Sequence, residues 1–121
     1  MDYETLLLGD FSLENGRVLP AARLAYKTYG HLNQQKTNAV LLCSAFTQNH
    51  TLYEYLIQPG RCFDPTQYFV ISTNLFANGF SSSPSNTPPP LDGVSFSRVS
   101  IRDNVRAQYR LVTEQWGIKQ L

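Results

Sequence analysis

The sequence predicts an α/β fold in which an antiparallel hairpin leads into a parallel sheet. Three features carry that expectation. Asn15-Gly16 stands between two extended runs, a strong hairpin signal. Two apolar runs, at 39–43 and 68–73, read as strands buried on both faces. A capped helical pattern then begins near Ser100. At 121 residues the chain has room for one domain, 1–121, and a domain of this size buries roughly two-thirds of its unfolded surface.

The first run is short, 11–13, and passes through Glu14-Asn15-Gly16 into a second run that ends near Tyr29. Along the second run Leu24, Tyr26 and Thr28 alternate with Arg23, Ala25 and Lys27, the pattern of a strand with one wet face. The run Ala39-Val40-Leu41-Leu42-Cys43 is the first buried strand and "YFVIST" the second. Between them "TLYEYLI" reads as a short helix ahead of the breaker Pro59-Gly60, so strand, helix and strand form a βαβ unit. Ser100 and Asp103 form a capping-box pair, with Asp for the usual Glu. Ile101, Val105, Gln108 or Tyr109, Val112 and Trp116 recur at helical spacing, while Arg102, Arg106 and Arg110 make a row that reads as a solvated face. Gly117 ends the helix, and 118–121 read as the first residues of another strand.

Composition excludes several classes of function. Ten basic and nine acidic residues give a net charge of +1, which leaves no broad basic footprint for nucleic acid or an anionic membrane. The amino-terminal stretch is acidic where a signal peptide is positive, and no stretch approaches the length of a membrane span. Cys43 and Cys62 form no C-x-x-C pair and sit near no cluster of histidines, so no metal site is expected. They read as small buried side chains in a cytoplasmic protein.

Chemistry in a parallel sheet collects at the carboxyl ends of the strands. Two loops qualify, "CSAFTQNH" and "NLFANGFSSSPSNTPPP". Both offer small polar groups and backbone amides, which suit an oxyanion but supply no general base. The prolines and Gly79 exclude regular structure from the second loop, leaving either a linker or a shaped functional segment. Ser81 and Ser95 each lie in a near match to Gly-x-Ser-x-Gly, but neither follows a strand as a nucleophile elbow must. Cys43 and His50 read as a structural thiol and a loop histidine, and His31 as part of a surface turn.

Four segments together carry a family resemblance: "LPAARLAYKTYGHLN", "NAVLLCSAFTQNH", "QPGRCFDPTQYFVISTNLFANGFSSSPSN" and "VSIRDNVRAQYRLVTEQWGI". In this order and spacing they resemble the amino-terminal part of the homoserine O-acetyltransferase family, over about 11–121. The resemblance implies the amino-terminal portion of an α/β-hydrolase fold, cut before the nucleophile elbow. It also implies acetyl transfer from acetyl-CoA to L-homoserine in methionine biosynthesis, through an acyl-serine, with no cofactor bound. Where the family reads His-Ala-Leu-Thr-Gly this chain has Ser44-Ala45-Phe46-Thr47-Gln48. Phe46 thus takes the position whose backbone N–H helps form the oxyanion hole, and Ser44 and Gln48 depart from the pattern. Thr47 and Asn74, one in each loop, are the substrate-binding candidates, and 74–85 aligns with a loop beside the active-site entrance. The family's elbow serine follows the strand that 118–121 would begin, and its Asp and His lie further on. Without that triad the chain is expected to be inactive alone. Three readings follow: a fragment, one half of a split enzyme completed by a second chain with the carboxyl-terminal half, or a non-catalytic binding or regulatory remnant.

Overall fold

The computed structural model describes residues 2–45, 48–87, 89 and 92–121. Four strands form one sheet: β1 (Glu4–Ser12), β2 (Val18–Tyr29), β3 (Ala39–Cys43) and β4 (Phe69–Thr73), in the order β1-β2-β4-β3. β1 and β2 form the expected hairpin, β2 pairs antiparallel with β4, and β4 pairs parallel with β3. The sheet is therefore mixed, with its parallel pair at one side.

β1 starts seven residues before the expected run at 11–13. Two register shifts, at Leu7/Gly9 and Gly9/Phe11, break its alternation, and Gly9 takes φ +70° there. The irregularity lets Leu8 and Phe11, three positions apart, both enter the core while Leu7 points out. The turn behaves as its Asn-Gly suggests. Leu13 N donates to Arg17 O at 2.8 Å, and Gly16 sits at φ +85°.

Because side chains alternate along each strand, the sheet has two distinct faces. On one, Leu24, Tyr26, Phe69 and Ile71 join Leu8, Phe11, Ala107 and Leu111 in the hydrophobic core. Each such large side chain contributes about 1.5–3 kcal/mol when fully buried. The helix α1 (Ile101–Arg110) covers this face and continues through one wide turn, Leu111–Gln115. Behind it Trp116 packs edge-on against Tyr26 and Phe69. On the opposite face lies the connection from β3 to β4: Ser72 Oγ donates to His50 O at 2.7 Å, and Lys27 pairs with Glu54.

Several expectations need correction. The segment "TLYEYLI" makes only a single 3-10 turn, Glu54–Leu56. β4 is buried along its whole length, but β3 is half-buried and ends on exposed Cys43, because β3 is an edge strand. Cys62 is exposed as well. The capping box at Ser100 and Asp103 is present, yet Ile101, Val105 and Tyr109 face outward. The buried side of α1 carries Asp103, Asn104, Ala107 and Gln108 instead. Asp103 explains that rotation, since its carboxylate accepts from Glu14 N and Ser100 N, each at 2.8 Å, tying the helix start to the hairpin. The arginine row is solvent-exposed at Arg102 and Arg106, as expected, and its members also make contacts. Arg102 faces Glu14, Arg106 lies over the Phe11 ring, and Arg110 donates to Leu8 O while pairing with Glu114. Gly117 closes the helix at φ +65°, but 118–121 form no strand; Ile118 packs into the core. Among the described residues no helix is long and apolar enough to cross a membrane.

Candidate functional site

β3 and β4 run in parallel and end level, at Cys43 opposite Thr73. The loops that leave them therefore start side by side. Asn74, the first residue past β4, has no exposed surface and uses its whole amide. Its Oδ1 accepts from His50 N at 3.0 Å and from Asn78 Nδ2 at 2.8 Å. Its Nδ2 donates to Ala25 O at 3.1 Å and to His50 Nδ1 at 2.9 Å. Two of these partners are backbone groups of fixed polarity, so the amide cannot be turned over without losing both. Asn74 thus faces the protein rather than a substrate, and it joins β2, the post-β3 loop and the post-β4 loop at one point.

The loop after β4 takes its shape from hydroxyls. Where β4 has ended, Asn74 N donates to Ala25 O at 2.9 Å and Ser82 N to Arg23 O at 3.0 Å. Ser81 Oγ accepts from Ala25 N and Ser82 Oγ from Arg23 N, both at 2.9 Å. The loop so continues the ladder along β2 with side chains in place of carbonyls, which is why Ala25, expected on a wet face, is fully buried. Further along, Ser83 Oγ accepts from Gly79 N and donates to Ser81 O, while Asn86 Oδ1 accepts from Ser83 N. Ala77 holds φ 71°, a left-handed conformation costly for alanine, and donates to Ser82 O at 2.8 Å. Two further bonds fasten the loop. Leu75 N donates to Ser44 Oγ in the neighbouring loop, and Phe76 N to the buried Asn104 of α1. The shaped-segment reading therefore holds for the described part of this loop.

His50 proves to be central although its sequence context marked it only as a loop residue. It is completely buried, and its ring packs against Tyr3 and Phe80 at 5.4 and 5.3 Å between centroids. Since Asn74 donates to Nδ1, the neutral ring carries its proton on Nε2, which meets no hydrogen-bond partner among the described residues. Burial chiefly lowers its pKa below the ordinary 6.5. It forms no dyad with Cys43. The Cys43 thiol donates to Gln108 on the α1 face, whereas His50 bonds Ser72 on the other.

Phe46 and Thr47, the oxyanion-hole and substrate-binding candidates, lie outside the described residues. Their neighbours are joined, Gln48 N donating to Ala45 O at 3.0 Å. Ser81 is buried with its hydroxyl engaged, Ser95 sits in an exposed single turn, Gly93–Ser95, and His31 is exposed. Among the described residues no group of three or more His, Cys, Asp or Glu is placed to hold a metal ion.

Comparison with known proteins agrees with this architecture. An ethyl acetate hydrolase from Pseudomonas veronii is 40% identical over 120 residues, spanning 98% of this chain and 34% of the relative. An acetylester hydrolase from Corynebacterium glutamicum superposes with a TM-score of 0.93 at 38% identity, over 98% of this chain and 35% of that one. The chain shares the α/β-hydrolase fold of these esterases. A homoserine O-acetyltransferase from Methanococcoides burtonii is 35% identical over 130 residues, spanning 93% of this chain and 26% of the relative. Esterases thus stand at least as near to this chain as the acetyltransferases do. No family model matches. The chain spans about a third of the length of the esterases it matches.

Proposed function

We propose that this chain supplies the oxyanion-binding side of an acyl-transfer site that handles an acetyl group on oxygen. The observation that carries the reading is the wall formed by the two loops at the ends of β3 and β4, tied together through Asn74 and Ser44. In this reading the tie steadies the post-β3 loop, whose Phe46 amide is assigned to the oxyanion by the family resemblance. The names of the relatives support the substrate class, since ethyl acetate hydrolase, acetylester hydrolase and homoserine O-acetyltransferase share an acetyl–oxygen bond. In this reading a serine oxygen attacks the acetyl carbonyl, and the Phe46 N–H takes the negative charge of the tetrahedral intermediate. Serine, base and acid come from outside these 121 residues.

Water as acceptor makes the site an esterase, and the higher identity to the ethyl acetate hydrolase favours that outcome. The second reading, with acetyl-CoA as donor and homoserine as acceptor, belongs to cytoplasmic methionine biosynthesis and has the acetyltransferase relatives behind it. Hydrolysis of p-nitrophenyl acetate tests the first and acetyl-homoserine formation the second. Each is measured on the chain alone and with the carboxyl-terminal two-thirds of a relative. The chain alone should match buffer. Turnover by it would refute the assignment of the nucleophile to residues beyond this chain.

A further inference from the structure

The turn between β1 and β2 faces the segment that leads into α1 across a cavity of about 480 Å³, within the roughly 300–1,000 Å³ of small-molecule sites. Asn15 and Arg17 line it from the turn, and Ser95, Phe96, Ser97 and Arg98 from the other side. Asn15 joins the two walls. Its Nδ2 donates to Arg98 O at 3.2 Å and its Oδ1 accepts from Arg17 N at 2.9 Å, so one amide fixes the backbone of both arginines.

The charge of this cavity is one-sided. Two guanidinium groups line it, and no carboxylate does so among the described residues. The arginines of α1 differ: Arg102, Arg106 and Arg110 lie beside the carboxylates of Glu14, Asp103 and Glu114. Arg17 and Arg98 have no carboxylate within ion-pair distance among the described residues. Glu14, the acidic residue next to Asn15, is turned to Ser100 Oγ at 2.7 Å and Arg102 at 3.8 Å. Ser97 adds an independent observation. It is 7% exposed and lines the cavity, yet its hydroxyl has no hydrogen-bond partner among the described residues. A hydroxyl so nearly buried ordinarily has a partner, and this one points to an occupant of the cavity.

We propose that this cavity binds the phosphate group of a small phosphomonoester. Guanidinium forks match phosphate oxygens in a bidentate way, and a tetrahedral group keeps a further oxygen for the Ser97 hydroxyl, which a planar carboxylate held by both arginines does not. The volume leaves room beyond the phosphate, where Phe96 supplies an apolar wall for the organic part of the ligand. Neither Asn74 nor Ser44, which carry the acyl-transfer reading, lines the cavity, so that reading can fail while this one holds.

The test titrates the 121-residue chain with phenyl phosphate, inorganic phosphate and benzoate at constant ionic strength, followed by two-dimensional NMR. Phenyl phosphate should saturate at one site, shifting the Ser97 amide and the Nε–H signals of Arg17 and Arg98. It should bind about 5-fold or more tightly than either inorganic phosphate or benzoate. Arg17→Gln and Arg98→Gln, at exposed positions, should each weaken it by about 10-fold or more, and Ser97→Ala by about 3-fold. Arg61→Gln, which removes the same charge at an exposed position outside the cavity, should leave it unchanged. Variants are compared at matched amide dispersion, so that a loss of fold is not read as a loss of binding. No saturable shift in these signals overturns the proposal, as does equal weakening by Arg61→Gln, the mark of diffuse attraction to net charge. Benzoate binding as tightly as phenyl phosphate refutes the phosphate, and inorganic phosphate binding as tightly refutes the ester.

Discussion

Asn74→Ala is the most informative single perturbation. It removes four hydrogen bonds, to His50 N, His50 Nδ1, Ala25 O and Asn78 Nδ2, from a site without solvent. They are not equal. Ala25 O keeps a partner in Asn74 N, which alanine retains, whereas His50 N is left buried and unpaired. A stranded buried donor costs about 1–3 kcal/mol and the lost bonds to His50 Nδ1 and Asn78 Nδ2 about 1 kcal/mol each, so the total is about 4 kcal/mol. Urea unfolding followed by the fluorescence of Trp116, the single tryptophan, reads this directly. With a urea dependence of about 2 kcal/mol/M, the midpoint should fall by about 2 M. Asn74→Asp separates the contributions. A carboxylate still accepts from His50 N and Asn78 Nδ2, and it draws a proton onto His50 Nδ1, so the loss should be about half as large and the His50 pKa should rise. A shift below about 0.5 kcal/mol for Asn74→Ala, the size of an ordinary surface change, would refute the argument that this amide holds the loops together.

Burial holds the His50 pKa below 6.5, so the unfolded chain takes up the proton before the folded one does. The stability that the neutral ring contributes is therefore complete above about pH 6.5 and is lost as pH falls through the lower folded value. Nitrogen chemical shifts should show a proton on Nε2 at neutral pH and a midpoint below 6.5; a midpoint above it contradicts the reading. Gly30→Ala should prevent folding or cost more than about 3 kcal/mol by urea titration, because a Cβ there would stand 2.2 Å from Tyr68 O and 2.5 Å from Pro65 O. Asp103→Ala removes the shared acceptor of Ser100 N and Glu14 N, and should lower the thermal midpoint by about 10 °C, against about 2 °C for Val94→Ala.

Much of the fold could be read from the chain because local signals and tertiary packing agree. Asn15-Gly16 marked the hairpin, 68–73 the central strand and Ser100 with Asp103 the helix start, and each is decided within a few residues. What escaped depends on partners remote in sequence. Leu6 to Leu8 resemble a stray apolar cluster until the irregularities at Gly9 are known. Ile101, Val105 and Tyr109 have core periodicity but no cover among the described residues, since β3 is the last strand on that side. Cys43 has an apolar context and lies exposed for the same reason. At the site, the loop sequences announced polar groups and prolines but not their pairing. His50 could not be singled out, because its importance rests on Asn74, 24 positions away, and on rings from Tyr3 and Phe80.

The serine-rich loop after β4 answers a conflict built into such a site. Backbone near a reaction centre must be rigid, and rigidity in a sheet comes from ladder bonds that also hold the chain straight. Ser81 and Ser82 relieve this by accepting from Ala25 N and Arg23 N through their hydroxyls, so β2 is satisfied without a strand beside it. The chain is then free to turn away from the sheet, through the left-handed Ala77, while remaining fixed at every step. Asn74 extends the same solution to the neighbouring loop by giving His50 N an acceptor that no strand supplies. Among the described residues, side chains that imitate strand backbone give these loops the order of a sheet without its straightness, a property that suits the acyl-transfer site proposed above.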